Sequence, residues 1–84
     1  MVTAEIAGVS VSLDKGVFDD LELLDMLDDI DGGNGLKLMK CMRKVFGNDW
    51  QKVADAIRES DGRIPVEPAA RAFAEAIKAV GKGN

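Results

Sequence analysis

Helix-breaking punctuation limits this chain more than any other feature. "DGGNG" at 31–35, Gly47 and "SDGRIPVE" at 60–67 interrupt the sequence at short intervals, so no apolar run continues far. Glycine and asparagine tolerate the left-handed backbone that ends helices, and proline removes a donor that a helix interior needs. Between these stops the apolar residues recur at three- and four-residue spacing, the signature of amphipathic helices. The chain must therefore fold as several short helices.

Asp19 or Asp20 can cap a first helix running to about Asp31, with acids favoured in its first turn by the helix dipole. Leu21, Leu24, Leu27 and Ile30 predict its apolar stripe, widened by Leu23 and Met26. "LKLMKCMRKVF" predicts a second helix with Leu38, Cys41, Met42 and Val45 inward and Met39 and Phe46 flanking them. Lys37, Lys40 and Lys44 follow its outer stripe. Gly47 ends it, and Asn48 or Asp49 caps a third helix, "WQKVADAIRES", burying Trp50, Val53 and Ile57. In the octapeptide, Asp61-Gly62 ends that helix and Ile64 plugs the core. Pro68 sits in the first turn of a fourth helix, where its missing N–H is harmless. That helix is expected to bury Val66, Ala70 (or Ala69), Phe73, Ile77 and Val80, and to close at Gly81.

Ahead of the helices, Val9, Val11 and Leu13 alternate with Ser10, Ser12 and Asp14, and Ala7-Gly8 offers a turn, predicting a small β-hairpin. The fold class is thus mainly α, a compact single domain of about four short helices with a small N-terminal hairpin as an appendage at one end. The expected organisation is an extended or hairpin segment over 1–17, a helical domain over 18–80 and a flexible tail over 81–84. A domain of 84 residues buries only about 60–65% of its unfolded surface, so its core is thin.

Composition closes off several functions. The net charge of −4 repels phosphate backbones and anionic lipid, so neither nucleic acid nor a membrane is the expected partner, and a helix-turn-helix DNA reader is disfavoured. The first ten residues carry neither a basic residue nor a long apolar run, so no signal peptide is predicted. One cysteine, Cys41, rules out an intramolecular disulfide and fits a reducing cytoplasm. Histidine is absent, which removes the commonest general base. Cys41 on an inward helix face and Ser60 both lack a base, so no enzyme and no cofactor are predicted.

"SDGRIPVE" superficially resembles a calcium loop. With Gly62 at position 6, position 1 falls on Ile57 and position 12 on Pro68, and neither supplies a carboxylate. Starting at Asp29 instead puts Lys40 at position 12, a cation where the loop needs a bidentate acid. No metal site is predicted.

What remains is binding. Asp19, Asp20, Glu22, Asp25, Asp28, Asp29 and Asp31 crowd a helix that has no basic residue. They read first as a solvated face, and more sharply as a face that docks a basic partner, or Lys37, Lys40 and Lys44 of a second copy. Met26, Met39 and Met42 serve either as core filler or as an adaptable apolar groove. The expected groove is bordered by Leu23, Met26, Met39 and Phe46 and framed by acids including Asp25 and Asp28.

"FDDLELLDMLDDID", "LKLMKCMRKVFGND" and "ESDGRIPVEPAARAFAEAI" together resemble the small tail assembly chaperones of long-tailed bacteriophages, over about residues 18–80. "DGRIPVE" is the most specific piece, with Ile64 in the usual valine place. The last helix departs from the pattern, carrying only Glu67 and Glu75 where relatives have a second glutamate-rich region. The resemblance implies a non-catalytic role in the host bacterial cytoplasm: association with the tape measure protein, recruitment of tail tube subunits, and absence from the mature virion. It also implies that a longer, frameshifted form can exist, with which the terminal "VGKGN" is compatible. The rival reading is a small acidic helical adaptor that binds a host protein.

Overall fold

The computed structural model describes residues 1–31 and 35–82. The predicted hairpin forms from β1 (Val2–Ile6) and β2 (Val9–Leu13), paired antiparallel with Val2 opposite Leu13 and Ile6 opposite Val9. Ala7 and Gly8 turn the chain with φ of 54° and 82°. Two consecutive positive φ values match the right-handed twist of the strands, which is why such turns favour residues tolerant of that backbone. The register puts Val2, Ala4, Ile6, Val9, Val11 and Leu13 on one face, and Thr3, Glu5, Ser10 and Ser12 on the other.

Successive turns carry the chain from Asp14 to the first helix, the Val17 N–H reaching the Asp14 carbonyl at 3.1 Å and the Asp19 N–H reaching that of Gly16 at 2.9 Å. Helix α1 spans Leu21–Asp31. Of the two candidate caps, Asp20 is the one used: its Oδ1 accepts from the Glu22 N–H at 3.0 Å and the Leu23 N–H at 3.3 Å. The stop motif after it falls mostly on residues 32–34, outside the described residues. A 3₁₀ turn over Gly35–Lys37 leads into α2 (Leu38–Phe46), which Gly47 terminates at φ 54° as expected. A second 3₁₀ turn, Gly47–Asp49, leads into α3 (Trp50–Ile57).

Helix α3 stops at Ile57, short of the expected "RES". Gly62 does adopt the left-handed conformation (φ 88°), but inside a self-closed loop rather than at the helix end. The Glu59 N–H reaches the Arg63 carbonyl at 2.8 Å, the Gly62 N–H reaches the Glu59 carbonyl at 2.9 Å, and the Arg58 guanidinium holds the Gly62 carbonyl at 2.8 Å. Those local bonds satisfy the backbone without another helical turn. Helix α4 spans Val66–Lys82, with Glu67 and Pro68 in its first turn, and it runs through Gly81 instead of closing there.

The core draws on every element. Ile6, Val11 and Leu13 from the hairpin meet Leu23 from α1, Met42, Val45 and Phe46 from α2, Val53 from α3, and Ala69, Ala72, Phe73, Ala76 and Val80 from α4. The hairpin is therefore part of the core and no appendage, since its apolar face supplies three of the fully buried side chains, at 0–2% exposure. The alanine face of α4 allows it to lie against β1. Phe73 meets Phe18 edge-on at 6.3 Å between ring centroids, and Phe46 stacks on Trp50 at 6.5 Å.

Two helices are rotated from their expected orientation. On α1 the buried residue is Leu23, with Met26, Leu27 and Ile30 half-buried, while Leu21 is 83% exposed. On α4, Phe73 and Val80 face in as expected, with Ala69 rather than Ala70 beside them and Ala72 and Ala76 added, whereas Val66 and Ile77 face outward. Ile64 is half-buried at the surface instead of plugging the core. Among the described residues no helix is long and apolar enough to cross a membrane.

Candidate functional site: an apolar groove between the first and last helices

Helices α1 and α4 both pack on the centre of the molecule but leave a trough between them. Leu24, Leu27 and Ile30 form one wall, Val66, Ala70 and Ile77 the other, and Leu38 and Phe73 close the base. The trough is open to solvent and holds about 690 Å³. A smaller recess of about 240 Å³ adjoins it, sharing Leu38 and Val66 and continuing past Met39, Trp50 and Ile64. Leu21, Leu24, Leu36, Met39, Val66 and Ile77, all large and exposed, border these two recesses or the surface that leads from Leu24 toward Leu21. Scattered exposed apolar residues need no explanation, but a contiguous set around a concave surface marks an interaction site.

Sequence-predicted site residues divide accordingly. Met39 is exposed and lines the smaller recess. Leu23 (0% exposed) and Phe46 (2%) are core residues that line neither of these two recesses, and Met26 is half-buried against the same core. The reason is the rotation of α1, which turns Leu23 toward α2 and leaves Leu21 and Leu24 outward. Asp28 lines the main groove and Asp25 lies beside Leu21 and Leu24. Leu21, Leu24, Leu36, Val66 and Ile77 were not anticipated at the site. Their signal was nonetheless present, because α1 carries six large apolar residues in ten positions, more than one buried stripe can accommodate.

The lysines expected to meet a second copy are largely engaged within the chain. Lys44 pairs with Asp20 at 3.1 Å, and Lys37 forms an ion pair with Asp29. The hydrogen bond from Lys44 holds the Asp20 carboxyl below its usual range, and each lysine is raised above its own by its acid. Together the pairs tie α1 to the 3₁₀ turn before α2, and the capping residue of α1 to α2 itself. Lys40 stays exposed and makes no ion pair among the described residues.

Asp49 also differs from expectation. It precedes α3 without capping it, and its Oδ2 instead accepts from the Ser12 N–H at 2.8 Å. That bond lowers the Asp49 carboxyl from its usual value against the opposing effect of burial, and Lys52 lowers it further. Lys52 reaches both Asp49, at 3.4 Å, and the Ser10 carbonyl, at 3.4 Å. Cys41 is fully buried, and burial pushes its thiol up, so its place in the packing is as a small apolar residue. Among the described residues no polar or charged side chain is buried, and no group of acids or thiols is arranged to hold a metal ion.

No family model, no curated protein and no solved structure matches the chain.

Proposed function

We propose that this protein is a tail assembly chaperone of a long-tailed bacteriophage, acting in the host cytoplasm by holding helical segments of the tape measure protein and helping to recruit tail tube subunits. One observation carries the reading: a thin-cored domain leaves an apolar groove of about 690 Å³ open between α1 and α4, with large aliphatic side chains along it. A groove walled by two helices suits an amphipathic helix laid between them. The resemblance of "DGRIPVE" and the acidic first helix to phage chaperones supplies the partner. Binding here is reversible and involves no covalent chemistry.

The experiment is co-expression with tape measure fragments. The chaperone reading expects a complex on size exclusion and a larger soluble yield of the fragment. Fragments that stay insoluble and never co-elute would count against it.

A further inference from the structure

Both walls of the groove are apolar, but the α1 wall is edged by an acid and the α4 wall is not. Along α1, Asp20 and Asp29 are neutralised by Lys44 and Lys37, whereas Glu22, Asp25 and Asp28 are exposed and make no ion pair among the described residues. Asp28 itself lines the groove. Across from it, α4 presents Val66, Ala70, Ala74 and Ile77, with no charge among them. The small alanines at 70 and 74 leave room for a third backbone to approach closely.

Length sets a second constraint. At about 1.5 Å per residue, the 11 residues of α1 extend about 16 Å and the 17 of α4 about 25 Å. A helix lying along both walls makes full contact over three to four turns. Its apolar stripe fills the trough, and the edge of that stripe nearest α1 meets Asp28, which makes no ion pair among the described residues. Acids there would be repelled and cations attracted.

We propose that the groove between α1 and α4 takes a single amphipathic helix of three to four turns whose apolar stripe is edged, on the α1 side, by lysine or arginine. This rests on the groove being the binding site, and it adds the charge of the occupant.

Three synthetic peptides of equal length, sharing one leucine stripe and edged with lysine, glutamine or glutamate, separate the two levels when titrated into the full chain by fluorescence anisotropy. The lysine peptide should bind roughly tenfold more tightly than the glutamate peptide at low salt, and the gap should narrow at high salt. Asp25→Lys with Asp28→Lys should reverse the order, while Glu5→Lys on the hairpin should leave it unchanged. Val66→Asp, at an exposed first-turn position, should weaken all three. Equal affinity for the three peptides overturns the charge assignment and leaves the groove standing as a binding site. Failure of all three to bind overturns both, and a stable dimer in light scattering that Val66→Asp dissociates would identify a second copy as the occupant instead.

Discussion

Ala7 occupies a backbone region that L-residues enter at a cost of roughly 1–2 kcal/mol, with φ at 54° in the hairpin turn. Asparagine tolerates that region, and Asn-Gly is the favoured pair for a two-residue turn of this kind. Ala7→Asn should therefore stabilise the fold by about 0.5–1 kcal/mol, read as a higher urea midpoint at unchanged slope. Asp49 makes a prediction in pH. Its carboxyl is lowered in the folded state, chiefly by the Ser12 N–H, so its contribution is complete above the ordinary carboxylate range and fades as pH falls through the lowered value. Asp20, lowered by Lys44, acts in the same direction. Thermal melts from pH 7 downward should stay level to about pH 4 and then fall, with a shallower fall in Asp49→Asn. An equally steep decline in that variant would show that the Ser12 bond does not couple to folding.

At the scale of elements, the hairpin and helices are interdependent. Ile6, Val11 and Leu13 are as buried as any helical core residue, and α4 rests its alanine face against β1. A two-stranded hairpin is marginal alone, and here its apolar face is covered by helices that lack a complete core without it. Leu13→Ala should then cost about 2–5 kcal/mol in urea unfolding, comparable to Met42→Ala within α2. A loss below about 0.5 kcal/mol, typical of a surface substitution, would mean the strands only decorate the helices. Boundaries of these elements were legible because they depend on local chemistry. Asp20 as a cap, Gly47 as a terminator and Pro68 in a first turn are each decided within a few residues. The end of α3 was not legible, because the loop bonds of Arg58 and Glu59 to Gly62 and Arg63 compete with another turn of helix.

For the molecule as a whole, the site was harder to read than the fold, and the reason is rotational. Leu23 and Leu24 are adjacent in sequence and 100° apart around α1, and nothing local decides which of them turns toward α2. The same ambiguity on α4 separates Phe73 and Ala76, which face in, from Val66 and Ile77, which face out. Sequence spacing identified apolar arcs correctly but made each arc a single buried stripe. With an extent of only 18 Å in its thinnest direction, the molecule has too little depth to cover both arcs of both helices. The unsheltered arcs of α1 and α4 face one another, and the groove is their meeting.

The contacts of Asp49 and Lys52 with β2 reach beyond anchoring. A lone ribbon of two strands has bare flanks, and a bare flank invites any extended chain nearby to add itself by backbone pairing. The Ser12 amide and the Ser10 carbonyl, which such an intruder would need on the β2 side, are already taken by an aspartate and a lysine from the helical layer. The proposed groove binder thereby offers helices a seat on one side and keeps a closed seam on the other.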